Sequence, residues 1–211
     1  MSDEELAAYS LVELAVDRLR RDILSGRIDP GERLVEEQLT RRLGISRAPV
    51  REAMRLLAQQ GLVEHIPRRG ARVATLSDDD VRELYEVRDV LERHAIATMP
   101  ARPDLTGLRA ALDVMRKATE TGDRLTIADA HREFHVAVVA LGGNRQLSAL
   151  YASVLVRIQL YMAVNMRREA EAARASDGVH RHERLFGAVE AGDVDAIRAA
   201  LGEHGARAYL T

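Results

Sequence analysis

Four of the seven histidines in this 211-residue chain stand on apolar helical stripes, so their rings are expected to face a core. His131 and His135 share a face with Ile127, Phe134 and Val138. His182 lies with Leu185, Phe186 and Val189, and His204 continues Val194, Ile197 and Leu201. An i, i+4 pair puts two imidazole nitrogens on one side of a helix, a spacing that suits a metal ion. Inward histidines from two further helices bring the set to four. Histidines that simply pack in a core show the same spacing, so spacing alone leaves both readings open.

Arg88 sits on the stripe of Val81, Leu84, Leu91 and Ala95. A guanidinium buried there needs an anionic partner. That partner is either a glutamate of the chain or the carboxylate of an effector. Arg157, at the edge of another apolar face, and Asn165, nearer that face's centre, are further candidates for effector binding. Asn144, directly after Gly142-Gly143, reads as a helix cap.

A third group is basic. Residues 41–72 hold Arg41, Arg42, Arg47, Arg51, Arg55, Arg68, Arg69 and Arg72 against Glu52 and Glu64, in a chain whose net charge is −2. On a helix, Arg47, Arg51 and Arg55 fall on one side, with Val50, Met54 and Leu57 on the other. A helix that is basic outward and apolar inward, entered through a turn at Gly44, suits the major groove. Arg47 and Arg51 are placed to bond guanine edges. Ser46 caps this helix and suits phosphate, with Pro49 in the same DNA-facing first turn. Arg68 and Arg69 form a hairpin tip expected to flank the minor groove, where Gly70 permits close approach. A solvated charged face is the plainer alternative. The basic tip beside the basic helix favours DNA.

The elements that must position these groups are legible in the same chain. Ser10-x-x-Glu13 reads as a capping box opening a helix that runs to Gly26, before Asp29-Pro30-Gly31. A short helix over 35–43, a break at Gly44 and a helix from Ser46 to near Gly61 follow. Strands over 62–66 and 71–74 are joined by Pro67-Arg68-Arg69-Gly70. This is the order of a winged helix-turn-helix. Ser77-Asp78-Asp79-Asp80 opens an all-helical remainder, with helices over 78–98, 104–121, 123–142, 145–168, 178–191 and 193–209. The expected fold is mainly α: a winged helix-turn-helix domain over 1–76 and an all-α antiparallel bundle of about six helices over 77–211. The absence of cysteine excludes disulfides and thiolate metal sites. No apolar run is long enough to span a membrane, and the acidic start has no secretory character, so a cytoplasmic protein is expected.

Residues 11–75 resemble the DNA-binding domain of the GntR family of bacterial regulators. The stretches that carry the resemblance are Ile23-Leu24-Ser25-Gly26-Arg27, Pro30-Gly31-Glu32-Arg33-Leu34, Leu43 through Ala53, and Gly61-Leu62-Val63 with Arg68-Arg69-Gly70. Residues 78–211 resemble the ligand-binding FCD domain of the FadR-like branch, through Arg88, Phe134-His135, Gly143-Asn144, and His182 to His204. The resemblance implies a homodimer on a pseudo-palindromic double-stranded DNA operator, controlled by a small-molecule effector.

It also implies a divalent metal, held in many FCD domains by an Asp and up to three histidines. His135, His182 and His204 match that pattern, and His131 stands where the Asp would be. Either His131 replaces the carboxylate to give four imidazoles, or the exchange weakens or abolishes the site. Asp129 faces elsewhere on the helix. Four imidazoles, the reading adopted, suit zinc or nickel over the oxygen-seeking magnesium or calcium. Neutral ligands leave the cation's charge whole, which would draw an anion alongside, next to Arg88. A repressor responding to a small carboxylate is therefore expected. The alternative is a regulator for which the metal itself is the signal. A metal-dependent hydrolase is disfavoured, because Glu133, between the paired histidines, faces away from them.

Overall fold

The computed structural model describes the backbone of residues 3–169 and 176–202 and the side chains of residues 11–162 and 179–202. The fold is mainly helical with a small antiparallel sheet, as the periodicities imply. It divides into two compact units. The first comprises Met1–Leu76 with Gln159–Arg168, and the second comprises Ser77–Ile158 with Glu169–Thr211.

In the first unit, α1 (Asp3–Leu24) is followed by β1 (Arg33–Leu34), α2 (Glu36–Leu43), α3 (Arg47–Gln59), β2 (Val63–Ile66) and β3 (Gly70–Val73). Helix α1 starts at Asp3, not at Ser10. The intervening Glu-Leu-Ala-Ala run consists of strong helix formers, and it carries the helix past the local capping signal. Strand β1 was not expected. Gly31, at φ 78, donates to the carbonyl of Val73 at 3.0 Å, and Val73 donates to Glu32 at 2.9 Å. These bonds draw Arg33 and Leu34 alongside β3, giving the antiparallel order β1-β3-β2. Leu19 and Ile23 of α1, Leu57 of α3 and Leu62 are fully buried together with Val73. Among them Asp22 is also fully buried, and it accepts from Arg18 Nε (3.2 Å), Arg27 Nη1 (3.0 Å) and Arg42. A buried carboxylate is tolerated only when so satisfied, and this one ties α1 to its following turn and to α2.

The second unit contains α4 (Asp78–Thr98), α5 (Thr106–Thr121), α6 (Arg124–Ala140), α7 (Arg145–Glu169, whose residues 159–168 belong to the first unit), α8 (Ser176–Ala191) and α9 (Val194–Gly202). Helix α4 opens on a reciprocal capping box. Asp80 N–H donates to Ser77 Oγ at 3.2 Å and Ser77 N–H to Asp80 Oδ2 at 2.8 Å. Asn144 Oδ1 accepts from the amides of Gln146 and Leu147, both at 3.1 Å, which is the cap expected there. Leu108, Leu112 and Met115 of α5 pack against Phe134 and Val138 of α6, Leu185 and Val189 of α8, and Ile197 and Leu201 of α9. Among the described residues no helix is long and apolar enough to cross a membrane.

Candidate nucleic-acid interface and histidine site

Helix α3 buries Val50, Ala53, Met54 and Leu57 and exposes Arg47, Arg51 and Arg55. Five of the eight arginines in the basic segment are already paired within the unit. The pairs are Arg41 with Glu37, Arg42 with Asp22, Arg51 with Glu36, Arg55 with Glu52 and Arg72 with Glu64. Arg47, Arg68 and Arg69 are exposed and make no ion pair among the described residues. The positive charge open to phosphate is thus gathered at the start of α3 and at the hairpin tip.

Pro49 is buried, which corrects its expected place on the DNA-facing surface. Its ring faces the interior because the third helical position lies over the apolar side of α3. It still shapes the site. A Ser N-cap usually accepts from the second or third amide of its helix, and Pro49, at the third, has none. That removes one of the two usual partners, and Ser46 makes no side-chain capping bond. Its exposed hydroxyl and the first-turn amides stand at the positive end of α3, an arrangement suited to phosphate.

At the hairpin tip Arg69 N–H donates to the carbonyl of Ile66 at 3.0 Å. Arg68, at the third position of this turn, has φ 62, the left-handed region where glycine is the usual occupant. Gly70, at φ 89, supplies the second positive φ.

In the second unit α6 and α8 bring three of the expected histidines together. His135 and His182 are buried and His131 is half-buried. Their nitrogens converge within 4.8 Å of one another, and His135 Nε2 lies 3.3 Å from His182 Nε2. Two imidazoles on one tetrahedral ion, each bound at 2.0–2.1 Å, place their nitrogens about 3.3 Å apart. The His135–His182 pair therefore fits a zinc-sized ion, with His131 close by. The same distance also suits one N–H···N bond between neutral rings. Phe134, fully buried, meets His182 edge-on at 5.1 Å between centroids and fixes its tilt. His204 and the side chain of Asn165 lie outside the described residues.

Arg88 is buried, and its partner is Glu92, one turn on. Arg88 Nε donates to Glu92 Oε1 at 2.9 Å, and the Tyr151 hydroxyl donates to the same oxygen. Burial opposes the charge on Arg88, but Glu92, Tyr151 and Tyr85 together outweigh burial and hold the guanidinium protonated beyond its ordinary range. Burial drives the Tyr151 phenol well above its usual pKa, so it remains a donor. The group reaches the histidines through His135 Nδ1, which lies 3.4 Å from Arg88 Nη2 and 3.8 Å from Glu92 Oε1. The nearer neighbour of Nδ1 is thus the Arg88 guanidinium, a donor, and the Glu92 oxygen lies beyond hydrogen-bond reach. Sequence reasoning missed Glu92 and Tyr151. The i+4 spacing from Arg88 was a readable sign of Glu92. Tyr151, 59 residues from Glu92, gave no sign. Arg157 is half-buried, and its charge acts on the Asp80 carboxyl at the start of α4. The described contacts do not bring it to the histidines.

The model of the FCD domain matches residues 83–207, and that of "Bacterial regulatory proteins, gntR family" matches residues 11–73. The HTH-type transcriptional regulator YdhC of Bacillus subtilis is 32% identical over 192 residues, covering 89% of this chain and 84% of its own length. A Paenarthrobacter nicotinovorans protein named "Probable D-xylose utilization operon transcriptional repressor" is 31% identical over 211 residues, covering 99% and 91%. The crystal structure of a GntR regulator from Rhodococcus sp. RHA1 superposes with a TM-score of 0.78 at 28% identity, covering 92% of this chain and 93% of that one.

Proposed function

The chain belongs to the GntR family of bacterial regulatory proteins, DNA-binding transcription regulators and not enzymes, and carries an FCD domain; from that premise we propose that it is a metabolite-responsive repressor. Arg47 and Arg51 read base edges of a double-stranded operator. Ser46, Arg68, Arg69 and the backbone at Gly70 hold it by phosphate and minor-groove contacts. The protein acts as a homodimer on a pseudo-palindromic site. Exposed Val87 and Val90, on one side of α4, support a self-association face. Residues 1–76 are the DNA-binding domain and 77–211 the sensing domain, in a cytoplasmic protein.

The observation that carries the sensing half is the convergence of three imidazoles beside the buried Arg88–Glu92–Tyr151 group. His131, His135 and His182, completed by His204, hold a divalent ion, zinc or nickel by the softness of the donors. When bound, the ion supplies positive charge that attracts an anion. A small carboxylate is the effector this favours, with Arg88 as its further contact. To engage Arg88 it competes with Glu92, so Glu92 sets a threshold for binding. Effector changes DNA affinity only to the extent that it binds one state better than the other.

Metal analysis of protein loaded with zinc tests the site; wild type is expected to retain one ion per chain and His135→Ala far less. A zinc-loaded protein that holds no ion sinks the four-imidazole reading. The second reading, in which the metal is itself the signal, is favoured if DNA affinity follows zinc or nickel and ignores organic acids.

A further inference from the structure

Arg51 is held in place before any DNA is present. Its Nε donates to Oε1 of Glu36 at 3.0 Å and its Nη2 to Oε2 at 2.9 Å, a bidentate pair joining α3 to the first turn of α2. The carboxylate thus takes up the Nε–Nη2 edge of the guanidinium. The Nη1–Nη2 edge is left uncommitted, on a side chain that is 69% exposed. Its two parallel donors match O6 and N7 of guanine.

Helix capping does not account for Glu36. Glu37 stands in the same acidic first turn and pairs locally with Arg41, whereas Glu36 reaches across 15 residues to another helix. The Arg51 hydrogen bond holds the Glu36 carboxyl below its usual range, so it is ionised at neutral pH. A carboxylate on a DNA-facing surface also repels phosphate. That repulsion is offset only if the carboxylate contributes something to recognition. Arg47, one turn earlier, makes no ion pair among the described residues and is not oriented in this way.

We propose that Glu36 is a specificity-determining positioning residue: it fixes the Arg51 guanidinium so that its Nη1–Nη2 edge reads one guanine and discriminates against other bases at that position. The inference rests on the reading of α3 as the groove helix.

Selection from a pool of duplexes with a randomised central window tests it. Full-length wild type, Glu36→Ala, Glu36→Gln and Arg51→Ala are compared, and retention of motif-free duplex reports non-specific affinity. Arg51→Ala locates the guanine that Arg51 reads. Both Glu36 variants are expected to lower the preference for that guanine about tenfold and to leave the other positions unchanged. They are also expected to hold motif-free duplex at least as tightly as wild type, because a negative charge is gone. Glu36→Gln keeps the side-chain volume but sets an amide N–H against Nη2, and an unchanged Tm shows its fold intact. A preference at the Arg51 position equal to wild type in both variants overturns the proposal and leaves the DNA reading standing. Loss of preference at every position with a lowered Tm also overturns it, because the role is then structural. A wild type that selects no motif, or an Arg51→Ala variant that shifts no base preference, overturns the reading beneath it.

Discussion

At the residue scale, the arginines of the first unit differ in what their surroundings leave them free to do. Arg47→Ala and Arg51→Ala should each cost about 1–3 kcal/mol of specific binding if they contact bases, measured by fluorescence anisotropy on the selected duplex. Arg68 occupies a left-handed turn position at a cost of about 1–2 kcal/mol relative to glycine, partly offset by glycine's greater freedom when unfolded. Arg68→Gly should therefore leave Tm equal or slightly higher while weakening DNA binding. A drop in Tm with unchanged binding would show that Arg68 is there for the fold. In the second unit, Glu92→Ala strands the buried Arg88 charge and should lower unfolding free energy by about 3–5 kcal/mol in urea titration. A loss under about 1 kcal/mol would mean that water reaches Arg88. The grouping of His131, His135 and His182 was legible because spacing and stripe both pointed inward, and the ionic partner of Arg88 was one of two readings left open. Asp22 was not legible: Arg18 is one turn before it, but Arg27 and Arg42 reach it from the following turn and from α2.

At the element scale, helix ends carry most of the readable signal. The helix start at Ser77-Asp78-Asp79-Asp80 was read correctly, the structure adds that it is a reciprocal capping box, and Ser77→Ala should cost about 1 kcal/mol by thermal melting. The Ser77 hydroxyl, and then its backbone amide, lower the Asp80 pKa, so this contribution is present above the ordinary carboxylate range. It is lost as pH falls through the lowered value in the folded state. The capping box read at Ser10 misplaced the start of α1, because good helix formers upstream outweigh a local cap. Strand β1 escaped detection because two residues carry no periodicity, and its pairing is supplied entirely by β3. Gly142 was read as a simple break. It also permits close packing, since a Cβ there would lie 2.9 Å from the carbonyl oxygen of Ala95 on α4. Gly142→Ala should destabilise by about 1–3 kcal/mol, and an unchanged denaturation midpoint would show that α4 yields easily.

At the scale of the whole molecule, a basic surface and a histidine cluster belong to separate units of one chain, and that chain belongs to a family of transcription regulators. The operator, the effector and the ion are not written in the fold, because each depends on contacts with a molecule outside the chain. The central claim is that DNA affinity answers to an anion bound at the histidine site. It is tested most directly by titrating zinc-loaded full-length protein on its selected duplex with a panel of small carboxylates. Wild type is expected to change its Kd at least tenfold with one acid, and His135→Ala to bind the duplex comparably but not to respond. A wild type indifferent to every acid, or a His135→Ala variant that responds as strongly, would contradict the account.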